Sequence, residues 1–226
     1  MHQSLHRPHL GWAATIVLLA AAPATLADTA KEDLKVQFPK AQFVGTPIPA
    51  TGIKNLDKSG KPILTLSVAK GTVLLSKEKE VTSSETTPSI GDFSLVTDGD
   101  KDGADGSFVE LGPGQQWVQI DLGAPTEISA IALWHFHKQA RVYRDVVIEL
   151  SDDPEFKTST IIFNNDDDNS LGKGAGKDPA YVETNHGRLM SGKQTKAQYI
   201  RAWSNGNNVD DLNHYVELEV YGVPAK

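Results

Sequence analysis

Polarity along this chain alternates every second residue, and no stretch beyond residue 27 carries a sustained helical period. From Trp117 to Leu122, Val118, Ile120 and Leu122 fall on one face while Gln119 and Asp121 fall on the other. That period of two is the pattern of a half-buried antiparallel strand. Ile128–Phe136 is apolar on both faces: Ile128, Ala130, Ala132, Trp134 and Phe136 line one side, Ile131 and Leu133 the other. A short segment of this kind has to be covered twice, which makes it a central strand. Further strands are expected at Ile63–Val68, Thr72–Leu75, Phe93–Val96, Val146–Leu150, Thr160–Phe163, Tyr199–Trp203 and Tyr215–Tyr221, with one more around Val36–Phe43. In the last long run Val216, Leu218 and Val220 are expected to point inward, opposite Tyr215, Glu217, Glu219 and Tyr221. Short β-rich segments separated by Gly, Pro, Asn and Asp turns read as an all-β sandwich or barrel.

The first residues read as a targeting segment. A mildly basic start is followed by an apolar run from Gly11 to Ala22 and by small residues ending at Ala27. The run is shorter than the ~20 residues a spanning helix needs, so residues 1–27 are expected to be a secretory signal peptide. Residues 28–71, rich in Pro and Lys, read as an N-terminal leader, and residues 72–226 as the sandwich domain. The expected location is secreted, periplasmic or cell-surface, and the mature chain is not expected to be an integral membrane protein. A net charge of −7 argues against nucleic acid or an anionic membrane surface as the partner. Cysteine is absent, so an exported chain of this kind draws its stability from its core or from bound metal.

Two constellations carry chemistry. The first is the acidic, glycine-broken segment DGDKDGADG at 98–106, whose Asp98, Asp100, Asp102 and Asp105 crowd oxygen ligands onto a turn. Its opening matches the D-x-D-x-D-G start of an EF-hand loop, but the twelfth position is Val109 and no flanking helices are expected. The segment is therefore not an EF-hand, although its chemistry suits a hard cation. The second is the run from Trp134 to Tyr143, which contains His135, His137 and Arg141. With His214 the two histidines form a conceivable zinc triad, because residues two apart on a strand share a face. Between the two constellations and the C-terminus lies NNDDDNSLGKGAGK at 164–177, a long polar surface loop. Ordered loops of this length in compact domains are often functional.

Taken in order, WVQIDLG (117–123), EISAIALW (127–134), VVIELSDDPEF (146–156), YIRAWSNG (199–206) and HYVELEVYG (214–222) resemble the discoidin or coagulation-factor type C superfamily. This is the galactose-binding-like jelly roll, which includes many carbohydrate-binding modules of secreted bacterial proteins. The resemblance spans roughly residues 72–222 and lacks the terminal cysteine pair of the animal members. It implies a two-sheet antiparallel β-sandwich with a ligand site in the loops at one end. It also implies a structural calcium (Ca2+) held by Asp98, a carbonyl or carboxylate around Asp100 and Asp102, Ser107, and Glu217 or Glu219 from the closing strand. The implied sugar site takes in His135, His137, Arg141 and Tyr143, with Asn205, Asn207, Asn208 and His214 reaching from the C-terminal loop.

No nucleophile elbow, cysteine nucleophile or H-E-x-x-H motif is present. The expected function is non-catalytic binding of a carbohydrate or glycoconjugate. The alternatives are an envelope adhesion module with a protein partner, or a metal-dependent hydrolase built on His135 and His137.

Overall fold

A computed structural model describes Met1 and residues 30–43 and 49–224. The expected signal peptide lies outside the described residues apart from Met1. Among the described residues no helix is long and apolar enough to cross a membrane. The described residues form ten strands: β1 (Lys31–Asp33), β2 (Ser67–Ala69), β3 (Val73–Leu74), β4 (Val81–Ser83), β5 (Val109–Leu111), β6 (Gln116–His135), β7 (Val147–Ser151), β8 (Thr160–Asn164), β9 (Arg188–Ser204) and β10 (Asn213–Val223).

The two segments expected as Trp117–Leu122 and Ile128–Phe136 are one strand of 20 residues. β6 pairs antiparallel with β9 along most of its length, and the register shifts between Asp121 and Thr126. Before the shift it also pairs with β4, and after it with β10. The first half of β6 thus lies in a sheet ordered β4-β6-β9-β7-β8, and the second half in one ordered β3-β10-β6-β9. The outcome is the expected all-β fold, a two-sheet antiparallel sandwich. Val118, Ile120, Ile148, Leu150 and Ile200 of the first sheet share one core with Ile131, Leu133, Leu218 and Val220 of the second.

The two-sided apolar character of the second half of β6 has a direct structural cause. Its outer face, with Ala130, Ala132, Trp134 and Phe136, joins a second apolar cluster with Leu34 and Val68, against which Val36, Phe38 and Leu66 also pack. The N-terminal segment therefore covers the outside of this sheet. Its strand is Lys31–Asp33, which pairs with Ser67–Ala69, whereas Val36–Phe43 is not a strand.

Two other expectations are corrected. Phe93–Val96 is not a strand but the body of a 3-10 turn, Phe93–Thr97, because the Asp92 carboxylate accepts the Ser94 N–H at 2.9 Å and caps it. In β10 the register shifts between Tyr215 and Glu217, where one extra residue forms a bulge. The bulge turns Tyr215 into the inner core with Leu218 and Val220, and turns Val216 outward against Phe108 and Phe136. Strict alternation through Tyr215–Tyr221 fails at that one step.

Leu34, 6 % exposed, sits in the outer cluster although it is a hundred residues from Trp134 in sequence. Leu34→Ala is expected to lower stability by about 2–3 kcal/mol within a single cooperative transition. Urea unfolding followed by tryptophan fluorescence checks this; an unchanged midpoint would mean that the segment does not pack as described.

Candidate functional site

Three connections meet at one end of the sandwich: β6–β7, β8–β9 and β9–β10. The last is organised by Asn207, whose Oδ1 accepts the N–H groups of Val209 (2.9 Å) and Asp210 (3.1 Å). Its Nδ2 donates to Asp210 Oδ1 at 2.7 Å and to the Leu212 carbonyl at 3.0 Å. This turn then zips onto the β6–β7 connection. Val142 N–H donates to Asn208 Oδ1 (2.7 Å), Asn208 N–H to the Val142 carbonyl (3.1 Å) and Arg144 N–H to the Gly206 carbonyl (3.0 Å). Gly206, at φ 65°, is required there, since a Cβ would lie 2.9 Å from the Asp211 backbone. Arg141 to Asp210 and Arg144 to Asp211, each at 2.8 Å, close the seam.

Beneath the seam runs a buried polar row. The Tyr143 hydroxyl donates to His214 Nδ1 (2.9 Å), and His214 Nε2 faces Glu110 Oε2 (3.2 Å). Burial, and then the nearby Arg141 charge, lower the His214 pKa from 6.5 to about 4. The ring is therefore neutral near pH 7, with Nε2–H donating to Glu110 and Nδ1 accepting from Tyr143. Glu110 is itself pushed up by burial and by Asp210. His135 stacks on Tyr143 with ring centroids 4.2 Å apart, and its Nδ1 donates to Glu183 Oε1 at 2.7 Å.

This places the expected ligand residues unevenly. His135, His137, Arg141, Tyr143, Asn207 and His214 are all buried and hold the loops to one another, whereas Asn205 is half-buried at the rim. β6 ends at His135, so the alternation that put His135 and His137 on one face does not reach His137, whose Nε2–H donates instead to the Lys101 carbonyl at 2.8 Å. The hydrogen bonds of the three histidines go to different groups, Glu183 for His135, the Lys101 carbonyl for His137, and Tyr143 and Glu110 for His214.

The seam forms one wall of a cavity of about 420 Å³ bordered by Arg144, Asp145, Asn165, Asp168, Asn205 and Asn208. Asp145 holds a left-handed backbone (φ 52°), and its Oδ2 accepts from Asn205 Nδ2 and Ser170 Oγ, each at 2.8 Å. The opposite wall is the long 164–177 loop, folded on its own hydrogen bonds. Asp166 accepts the N–H groups of Ser170 (3.0 Å) and Leu171 (2.9 Å), while Asn164 Nδ2 donates to the Gly174 carbonyl at 2.9 Å. Asp145, Asp166 and Asp168 bring carboxylate oxygens within 4.8 Å of one another, a cluster of the kind that can hold a metal ion. It is the one such group among the described residues. Asn165 and Asn208 each give Oδ1 to a backbone N–H, of Val146 and Val142, and keep a buried Nδ2 without a partner. Asp145, Asn165, Asp166, Asp168 and Ser170 were not among the expected site residues. For the four in 164–170 the sequence signal is the density of Asn and Asp in a long polar loop of the kind that is often functional, whereas Asp145 has no such signal.

The acidic segment expected to bind calcium lies elsewhere, against β10. Asp98, Asp100 and Asp102 are exposed and Ser107 half-buried, while Glu217 and Glu219 are buried. Asp98 Oδ1 and Asp100 Oδ1 accept the N–H groups of Asp100 (2.7 Å) and Asp102 (2.9 Å), which winds the turn. Gly99 N–H donates to Glu217 Oε2 at 3.1 Å, so the segment does reach the closing strand. Glu219 is occupied by Lys101 Nζ at 2.6 Å and by the Tyr221 hydroxyl at 2.5 Å. Glu217 Oε1 is buried with no partner, and burial, aided by Glu219 and Asp98, raises its pKa from 4.5 to about 9 despite the Gly99 bond. A buried carboxylate oxygen without a partner beside further carboxylates fits a cation.

No protein-family model matches the sequence, and no curated protein matches it. Solved structures do. A truncated AlyQ with CBM32 and alginate lyase domains aligns at 18% identity and TM-score 0.50, over 69% of this chain and 34% of that one. A family 89 glycoside hydrolase from Clostridium perfringens, in complex with 2-acetamido-1,2-dideoxynojirmycin, aligns at 22% identity and TM-score 0.50, over 68% of this chain and 16% of that one. The CBM32 of AlyQ in complex with 4,5-unsaturated mannuronic acid aligns at 20% identity and TM-score 0.45, over 62% of this chain and 92% of that module. The likeness is one of fold. The chain shares a two-sheet antiparallel β-sandwich with these structures, the fold its motifs implied, and it spans about a third of one longer protein and a sixth of the other.

The neutral His214 fixes the sign of one pH response. Between about pH 6.5 and about pH 4 the unfolded chain takes up a proton on this residue that the folded chain does not, so stability falls as pH falls across that window. The contribution is about 3 kcal/mol at most. Chemical denaturation across this range should show a shallower loss for His214→Gln than for the parent; parallel curves would contradict a neutral buried imidazole.

Proposed function

We infer that the domain binds carbohydrate without catalysing a reaction, outside the cytoplasm, through the cavity at the loop end of the sandwich. The observation that carries this reading is the cavity lining, which sets the side-chain amides of Asn165, Asn205 and Asn208 beside the Asp145 and Asp168 carboxylates in about 420 Å³. A sugar hydroxyl both donates and accepts, so a wall of fixed amides and carboxylates suits it, and the rigid seam behind keeps the ordering cost of binding low. Pockets of a few hundred Å³ with a few convergent polar groups are the usual form of a small-ligand site. The fold is shared with modules described as carbohydrate-binding, which supports the reading. Arg141, His214 and Tyr143 act here as supports that fix the wall, with His135 behind them. The extracytoplasmic location rests on the signal-like residues 1–27.

Within the same reading, calcium ties the 98–107 segment to β10. Glu217 is the buried carboxylate that would hold it, with Asp98 and its neighbours Asp100 and Asp102 completing the oxygen set together with Ser107. Glu219, already paired with Lys101, serves as the electrostatic neighbour. The ion would supply the positive charge that a buried Glu217 carboxylate otherwise lacks.

A glycan array followed by calorimetry tests the binding. Asn208→Ala should lower affinity for the sugar that binds by about tenfold, the size expected from losing one or two hydrogen bonds. Failure of the folded protein to bind any glycan would defeat the reading and favour an envelope protein as partner. For the metal, added calcium should raise the thermal midpoint and a chelator should reverse it, both effects vanishing in Glu217→Gln; a midpoint indifferent to both reagents would dismiss the ion.

A further inference from the structure

A second cavity, sharing no residue with the first, lies where the N-terminal segment crosses the β8–β9 connection. It measures about 250 Å³, with Asp57, Lys61 and Ile63 on one side and Tyr181, His186 and Arg188 on the other. Both walls are fixed by hydrogen bonds. Leu56 forms a parallel bridge with Ala180, whose N–H donates to the Asn55 carbonyl (3.1 Å) and whose carbonyl accepts Asp57 N–H (2.8 Å). The facing turn is closed by Gly187 N–H on the Thr184 carbonyl at 2.9 Å. Trp134 Nε1–H donates to the Asn185 carbonyl at 3.0 Å, and Asn185 Nδ2 reaches back to the Pro39 carbonyl at 2.8 Å.

Arg188 is the group these bonds leave over. It opens β9, and its Cζ lies 5.1 Å from the centroid of the Tyr181 ring and 5.6 Å from that of Phe163, with the side chain only 15 % exposed. A guanidinium carries only donors, yet the side chain of Arg188 makes no hydrogen bond among the described residues. Arg141, Arg144 and Arg201 differ, each donating at 2.8 Å or less. Asp57 Oδ2 stands 3.8 Å from Arg188 Nη1, close enough to balance charge but beyond hydrogen-bond reach, while Asp57 Oδ1 takes the Ser59 N–H at 2.9 Å. Lys61, on the same border, has no carboxylate partner among the described residues. The rest of the border is apolar, with Ile63 and Val182 at 40 % and 37 % exposed beside Pro62. The cavity is several times the ~30 Å³ of a water molecule, so it has room for an acceptor group together with whatever carries it.

We propose that this cavity binds a small monocarboxylate on an apolar body, its two oxygens taken by the Arg188 fork and its apolar part lying against Ile63 and Val182. The planar fork matches a carboxylate bidentately, and the rings packed on it hold that plane in place. Asp57 sets the charge of the ligand. Its carboxylate stands beside the fork, so a single negative charge is repelled less than the two of a phosphate. The site is separate from the loop-end cavity, and it stands or falls independently of the carbohydrate reading.

Backbone-amide NMR of the whole protein decides it, with titrations of 4-methylpentanoate, acetate, inorganic phosphate and the uncharged 4-methylpentanol at about pH 7 and constant ionic strength. The first should shift the amides of Gly60, Lys61 and Thr184–Arg188 saturably, and bind at least about fivefold more tightly than acetate or phosphate, while the alcohol shifts none of them. Arg188→Lys keeps the charge but not the fork, and should weaken binding about tenfold. Asp57→Asn keeps an acceptor for Ser59 and leaves the ring contacts of Arg188 untouched, so it tests the site even where the arginine variant is unstable. Removing that competing carboxylate should tighten binding by about two- to fivefold. Shifts that do not saturate or that fall elsewhere, equal binding of acid and alcohol, or phosphate as the tightest ligand would overturn the proposal. An affinity unchanged or weakened in Asp57→Asn would overturn it as well.

Discussion

The β6–β9 pairing carries the rest of the structure. Twenty residues of β6 run through both sheets, with a shift of register near Gly123 where the strand passes from one to the other. One hydrogen-bonded ladder therefore fixes the relative position of the two sheets, and the inner core fills the space between them. The same ladder aims the chain ends. β6 terminates at His135 and β9 at Ser204, at opposite ends of the ladder. The passage of the strands from one sheet to the other brings both to the same end of the sandwich, where the β6–β7 and β9–β10 connections zip into a single wall. Without that convergence Asn208 and Asp145 would not face the 164–177 loop.

Polar groups in this domain divide into those that build the wall and those that border the open space. Tyr143, His214, Glu110 and Arg141 are tied to one another and to Asp210 beneath the seam, and Asn207 spends its whole amide on its own turn. Asn165 and Asn208 spend only half of theirs. Buried donors without partners are uncommon in folded proteins, and these two belong to residues that line the cavity. The proposed sugar site depends on this combination, because hydroxyl-rich ligands must give up bound water and gain affinity chiefly from a site that is already rigid.

Much of the architecture was legible in the sequence, because period-two patterning reports which strands are half-buried. The two-sided apolar run at Ile128–Phe136 correctly signalled double coverage, though not that Leu34, Val36 and Val68 supply it, since they come from a segment with no period of its own. The first half of β9 was invisible for a related reason. Arg188–Ala197 reads RLMSGKQTKA, with left-handed residues at Lys193 and Gln194 that interrupt any pattern. The bulge in β10 was equally silent, because one inserted residue flips facing without changing composition. At the site, residue type pointed to histidine, arginine and tyrosine, yet these types also build buried networks, and here they do so. The groups that border the cavity include Asn and Asp side chains that, read one at a time, look like ordinary loop residues.

A glycan seated in the cavity would touch three loops and leave the sheet faces free. Hydrogen exchange read by mass spectrometry, with and without the oligosaccharide that binds best, measures this across the whole chain. Protection is predicted in the segments around 142–145, 165–170 and 205–208, with the outer face of the β4-β6-β9-β7-β8 sheet unchanged. Protection confined to that sheet face around Trp117 and Trp203, with the three loops unaffected, would contradict it.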